Sequence, residues 1–313
     1  MTQKKKFVYF LGAGASYGAG ASATVQAGGK VPIPTQATFW DTFLRFCRSA
    51  QCRSDIESFL FRYFLGYGRT PTRLKPPARR KLLAQINVEE VFTFVSERAS
   101  APSTTPQLRT YTSGIWAALT AEIGNVFGRF EPNAQTRATY RALIKNHFRS
   151  FDAIVSFNYD TIFERSLPSA RKPRYLGIDG NRGDIPLLKP HGSVNWTRSK
   201  DGSIVVFDNP PSSVIVAPTH LKFVPTGTES EHVHAGYLDQ ADEIRQIWSE
   251  MEAHMKGARA LVFIGYSFPQ ADLYFSSVLR SVLADRETTP DIVIVNPDAV
   301  AIADRLRESP RYS

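Results

Sequence analysis

At 313 residues the chain is about twice the length of a typical single domain. Hydrophobic residues make up 42% and charged residues 21%, which excludes broad disorder and supplies a sizeable core. The net charge of +9 admits anionic partners without naming one, and no apolar run approaches the ~18 residues of a membrane-spanning helix. Two cysteines, Cys47 and Cys52, cannot build a disulfide scaffold or a four-thiolate zinc site. Reduced thiols in a cytoplasmic protein are expected. Lys4-Lys5-Lys6 and the apolar residues after them imitate a signal peptide, but the run is short and ends in a glycine loop.

In chain order, short β-rich runs fall at 7–11, 153–157, 187–188, 214–217, 261–264 and 292–295. Little alternation appears within them, the pattern of parallel strands buried on both faces. Between them lie helical periodicities. Leu238, Ala241, Ile244, Ile247, Met251 and Met255 repeat every three or four residues and stop at Gly257. Ala271, Tyr274, Val278, Val282 and Leu283 repeat similarly after Pro269. This alternation predicts an α/β protein with a Rossmann-like, doubly wound, mostly parallel sheet.

Residues 36–150 read differently. Phe39-Trp40, Phe43-Leu44, Phe59-Leu60, Phe92, Phe94-Val95, Trp116, Leu119 and Leu143-Ile144 punctuate amphipathic segments with no buried strand among them. A helical insert over 36–150 is expected, with the core formed by 1–35 and 151–313. Gly/Pro/Ser/Thr-rich linkers are expected at 66–77 and 101–106. Arg62, Arg69, Arg73, Lys75, Arg79, Arg80 and Lys81 form a basic stretch with no intervening acid. A solvated face is the simpler reading, and nucleic acid or an acidic protein the alternative.

The first strand runs straight into Gly12-Ala13-Gly14-Ala15-Ser16. Glycines at this place let a backbone approach a pyrophosphate, and helix amides just beyond attract its charge. The dinucleotide fingerprint does not fit, because Tyr17 stands where its third glycine belongs. Other polar clusters sit at or near strand ends: Asn158-Tyr159-Asp160, Lys189-Pro190-His191-Gly192-Ser193, Gly265-Tyr266-Ser267-Phe268-Pro269 and Asn296-Pro297-Asp298. The carboxyl edge of an open α/β sheet is where ligands bind. Asn158 and Asp160 suit a ligand site, and both also suit the cap of the helix that follows. His191, between Pro190 and Gly192, is placed at a loop edge. His232 and His234 lack companions to complete four ligands, so no metal is expected.

This order of motifs resembles the sirtuin superfamily over the first 35 residues and from about Ser150 to Asp298. The resemblance implies that Gly12, Ala13, Gly14 and Ser16 surround the phosphates of NAD+, here a substrate. It places Asn158 and Asp160 at the nicotinamide ribose and carboxamide, and makes His191 the catalytic base. Gly265 and Ser267 would hold the adenine-side phosphates and ribose, and Asn296 the adenosine ribose. Phe157-Asn158-Tyr159-Asp160, Lys189 to Ser193, Ala217-Pro218-Thr219 and Gly265 to Pro269 look more like the NAD+-hydrolysing sirtuin-like domains of bacterial anti-phage defence. The chain lacks the Cys-x-x-Cys pairs of protein-deacylating sirtuins, and Phe157 replaces their Gln.

The implied activity is hydrolysis of the nicotinamide–ribose bond through an oxocarbenium-like ribose, akin to glycoside cleavage, with an imidazole titrating near neutrality as base. Two alternatives keep the NAD+ site: a deacylase or ADP-ribosyltransferase, and a regulatory module that binds NAD+ or ADP-ribose without turnover. A hydrolase that depletes NAD+ needs gating, so a homo-oligomer or a partner such as an ATPase is expected on the helical insert. Nucleic acid would act only through the partner or the basic stretch 62–81, and no membrane is expected.

Overall fold

The computed structural model describes residues 6–25, 29–66, 74–101, 103–180, 182–207, 213–216, 241–269 and 272–308. Five apolar residues form the first strand, β1 (Phe7–Leu11), in which Val8 and Phe10 are fully buried. Burial on both faces demands parallel neighbours covered by helices. β1 lies between β4 (Ala153–Ser156) and β11 (Ala260–Ile264), parallel to both. The sheet continues through β6 (Ile185–Leu188) to β5 (Pro173–Tyr175) on one side and to β12 (Asp291–Val295) on the other. All five pairings of this six-stranded sheet are parallel. The predicted doubly wound α/β sheet is therefore the observed one. Chain order reverses between β1 and β11, which makes their carboxyl ends a topological switch point.

α1 (Ala13–Gly18) follows β1 directly. Next come a small antiparallel ribbon, β2 (Ser22–Thr24) with β3 (Lys30–Pro32), a single 3-10 turn (Gln36–Thr38) and then, among the described residues, six α-helices. These are α2 (Phe39–Phe46), α3 (Ala50–Tyr63), α4 (Pro76–Leu83), α5 (Val88–Ser100), α6 (Pro106–Phe127) and α7 (Ala134–Asn146). Pro76 and Pro77, expected in a linker, form the first turn of α4, where a missing N–H does no harm. The apolar faces of these helices join the core cluster of the sheet: Phe43, Phe59, Phe92 and Leu119 are fully buried within it.

α8 (Ile162–Ser166) follows β4, α9 (Ala241–Lys256) precedes β11, α10 (Leu273–Ala284) lies between β11 and β12, and α11 (Ala299–Glu308) follows β12. Ile244, Ile247, Met251 and Met255 are buried, as the period of the α9 segment predicts. Pro269 does not open α10: Asp272 does, accepting the Phe275 amide. Leu238 and Ala271 lie outside the described residues.

Two strand expectations need correction. Of the run at 214–217, the described residues are not in the central sheet; β10 (Val214–Ile215) pairs antiparallel with β7 (Gly192–Ser193). The run at 292–295 is not buried on both faces. It is the sheet edge, and Ile292, Val293 and Val295 are 40–50% exposed. Apolar residues fit an edge strand as readily as a central one, and the run alone does not separate the two. A further ribbon joins β8 (Trp196–Arg198) to β9 (Ile204–Val206). Among the described residues, no helix is long and apolar enough to cross a membrane.

Candidate active site

β1 delivers the glycine loop to the switch point, and β11 delivers Gly265 to the same place. The Gly12 amide donates to the Ile264 carbonyl at 3.0 Å, and the Gly14 amide to the Gly265 carbonyl at 2.9 Å. A Cβ on Gly12 or Gly14 would stand 2.6 or 2.8 Å from that same Gly265 oxygen. Gly265 has φ +62°, and a Cβ there would lie 2.0 Å from the Ala15 nitrogen. Three glycines are thus required by one backbone-to-backbone contact. The sequence predicts open helix amides here for a pyrophosphate. Instead the Gly14 and Ala15 amides are already paired, the latter with the Gly12 carbonyl at 2.9 Å. Ala13 is exposed at the tip, whereas Ser16 is buried.

β4 delivers Asn158 and Asp160 beside this loop. The Asn158 side-chain amide donates to the Gly12 carbonyl at 2.9 Å and to Ser16 Oγ at 3.3 Å. Ser16 Oγ donates to Asp160 Oδ1 at 3.3 Å and meets the Tyr140 hydroxyl of α7 at 3.4 Å. Neither Asn158 nor Asp160 is the cap residue of α8, which is Thr161, but Asp160 Oδ1 accepts the first helical amide, that of Ile162, at 2.9 Å. Burial raises the Asp160 carboxyl to about 6, against the opposing charge of Lys189 and the Ile162 hydrogen bond. Burial likewise pushes the Tyr140 phenol well above its ordinary range.

β6 delivers His191. The imidazole is buried, and its Nδ1 lies 3.2 Å from the carbonyl of Phe157, the residue before Asn158. A carbonyl only accepts, so the neutral ring carries its proton on Nδ1 and its lone pair on Nε2. The rings of Phe157, Trp248 and Tyr159 surround it at centroid distances of 5.2, 6.1 and 6.3 Å. The Trp248 indole donates to the Pro190 carbonyl at 3.1 Å. Gly192, with φ +79°, turns the chain under the Val214 carbonyl, which a Cβ would meet at 2.2 Å.

Beyond Gly265, Tyr266 is buried with its ring 5.0 Å from that of Phe157, and its hydroxyl donates to Asp272 Oδ2 at 2.7 Å. Ser267 is exposed, and its carbonyl accepts from Arg305 of α11. Asn296 closes a turn by accepting the Asp298 amide at 3.0 Å. It is tied to the rest through the Gly265 amide, which donates to the Val295 carbonyl at 2.9 Å. The structure therefore joins Gly12, Gly14, Ser16, Asn158, Asp160 and Gly265 by direct contacts and sets His191 against Phe157. Ser267 and Asn296 stand apart from that group, on the adjoining rim.

Sequence reasoning did not single out Lys189, Glu164 or Tyr140. Lys189 is fully buried and pairs with Glu164 at 2.9 Å. Among the described residues no group of three or more His, Cys, Asp or Glu could hold a metal. Ala217-Pro218-Thr219, His232 and His234 lie outside the described residues, as do Arg69 and Arg73. The basic stretch is partly neutralised in space, because Arg79 pairs with both Asp41 and Glu57, at 3.1 and 2.6 Å.

Residues 152–311 match the model of the SIR2-like domain family. The chain belongs to that family. The matched segment of this SIR2-like chain carries Asn158, Asp160, His191, Gly265, Ser267 and Asn296, of which Asn158, Asp160 and Gly265 bond directly to the glycine loop. A Sir2 homologue mutant solved as an ADP-ribose complex is similar at 14% identity and a TM-score of 0.34, covering 95% of this chain and 84% of that one. A structure describing the mechanism and regulation of Sir2 enzymes is similar at 14% identity and a TM-score of 0.35, covering 98% and 95%. No curated protein matches the chain.

Proposed function

We propose that this SIR2-like chain is an NAD+ glycohydrolase that cleaves the nicotinamide–ribose bond, releases nicotinamide and ADP-ribose, and depletes NAD+ in the cytoplasm during anti-phage defence. The observation that supports it most directly is the 3.2 Å approach of His191 Nδ1 to the Phe157 carbonyl. That contact sets an imidazole beside the backbone of Asn158. In the proposed reaction the C–N bond electrons leave with neutral nicotinamide, and a water oxygen takes their place on the ribose carbon. The water's proton passes to His191 Nε2, directly or through a ribose hydroxyl, and then to solvent. Asn158 orients the ribose hydroxyls or that water.

Gly12, Ala13, Gly14 and Ser16 shape the surface for the phosphates, with Gly265 and Ser267 on the adenine side and Asn296 at the adenosine ribose. Asp160 faces the nicotinamide end. Holding the remote pyrophosphate aligns the reacting carbon, which is how binding far from the chemistry raises turnover. Residues 1–35 and 151–313 are the catalytic core in this reading. Residues 36–150 are a helical insert through which self-assembly or a defence partner gates activity.

Incubation of the purified chain with NAD+ and chromatography of the products tests the reading. Free nicotinamide and ADP-ribose in equal amounts are expected. O-acyl-ADP-ribose or a labelled protein would make it a transferase or deacylase, and intact NAD+ retained on the protein would make it a binding module.

A further inference from the structure

Parallel pairing of β4 with β6 ends at Val155 opposite Leu188. Beyond that point the ladder gives way to the loops that carry Asn158 and His191, whose spacing rests on individual contacts such as His191 Nδ1 to the Phe157 carbonyl at 3.2 Å and the Val194 amide to the Tyr159 carbonyl at 3.0 Å. The next residue, Lys189, is fully buried. Its Nζ donates to the Asp160 carbonyl at 2.6 Å and to Glu164 Oε1 at 2.9 Å. Both acceptors belong to the segment that follows β4. The Glu164 carboxylate is held in turn by the Tyr175 hydroxyl of β5 at 3.4 Å.

An ammonium withdrawn from water is costly unless it is well paired, and an apolar side chain of similar size often serves stability as well or better. Retention of an ion pair here calls for a geometric reason. The geometry supplies one. Lys189 stands two residues before His191, and the carbonyl it grips stands two residues after Asn158. We propose that Lys189 is a positioning residue that fixes the spacing of Asn158 and His191, with Glu164 as the counter-ion that holds its ammonium in place. The inference takes the identity of the reacting pair from the proposed NAD+ cleavage, but the strap itself is defined by contacts within the chain.

The test compares wild type, E164Q, K189M and the double variant K189M/E164Q, in which neither charge is left unpaired. For each, the melting temperature, the Kd for ADP-ribose, kcat and KM for NAD+, and the imidazole signals of 15N-labelled histidine are measured. Six histidines make the His191 signal assignable through H191A. The expected result is a folded double variant with KM and Kd within about threefold of wild type, kcat lowered by roughly 10²-fold, and a displaced His191 signal. A folded double variant with wild-type kcat and an unmoved His191 signal would overturn the proposal. So would failure of both Lys189 variants to fold, which would make the lysine a stability residue. Should wild type leave NAD+ intact, the cleavage reading fails and the imidazole spectrum alone decides the strap, displacement supporting it and coincidence overturning it.

Discussion

The side-chain amide of Asn158 donates to the backbone carbonyl of Gly12 at 2.9 Å, joining the loops at the ends of β4 and β1 into one unit. Asn158 therefore has a structural role besides the chemistry proposed for it. Asn158→Ala removes the donor and leaves the Gly12 carbonyl without it. Asn158→Asp does worse, because a carboxylate would face that carbonyl and stand near Asp160. Turnover of NAD+ is expected to fall by roughly 10²-fold or more in Asn158→Ala and in His191→Ala, and further in Asn158→Asp. Wild-type NAD+ loss in the first two variants, read by product chromatography, would remove both residues from the reaction.

Gly265 is the tightest point of the switch. A side chain there needs both a positive φ and space already occupied by the Ala15 nitrogen. Gly265→Ala is expected to lower unfolding free energy by at least about 2 kcal/mol and to raise KM for NAD+, because the glycine loop must move to admit the methyl. Gly114 is the control. It lies within α6 with open space around it, so Gly114→Ala is expected to stabilise the chain by roughly 0.5–1 kcal/mol. Urea unfolding of both variants checks the pair of signs.

How much of this was legible in the sequence depends on how local the cause is. β1, β4 and β11 are continuous apolar runs because helices cover both faces, and the α9 segment shows the period of one buried face. β12 has the same composition yet sits at the edge, a fact of topology that no run of residues encodes. Val214 and Ile215 pair with Gly192 and Ser193 because Gly192 can turn at positive φ, a long-range arrangement with no short-range signal. Asn158, Asp160 and His191 could be picked out because each follows a strand. Lys189 was visible only as part of a motif, since its counter-ion lies on α8, 25 residues earlier. Tyr140 reaches Ser16 across 124 residues.

Asp160 gives a pH test of the buried network. Its carboxyl titrates at about 6 in the folded chain against an ordinary 3.8, chiefly through burial. Between those values the native state holds a proton that the unfolded chain has released, so stability falls as pH rises through the window and stays low above it. Asp160→Asn keeps an oxygen for Ser16 and Ile162 and never ionises. The variant is expected to be more stable than wild type by roughly 2–3 kcal/mol at pH 7. The gap should close as pH falls from about 6 towards 4. A gap that ignores pH would show that Asp160 is not held in this state.

His254 of α9 has the opposite sign in an overlapping window, so wild-type stability alone cannot separate the two groups. Burial, with Lys6 and Arg174 nearby, lowers its imidazole to about 4 from an ordinary 6.5. Below pH 6.5 the unfolded chain takes up a proton that the folded chain refuses, and stability is lost as pH falls towards 4. His254→Gln is expected to flatten that loss and leave the curve above pH 7 parallel to wild type. The variant with both Asp160→Asn and His254→Gln should then show the sum of the two differences, because one group gains stability from acid and the other loses it. Unfolding free energies at half-unit steps from pH 4 to 8 check this. Loss of the Asp160 signature in the His254→Gln background would mean the two sites are coupled through the sheet rather than independent.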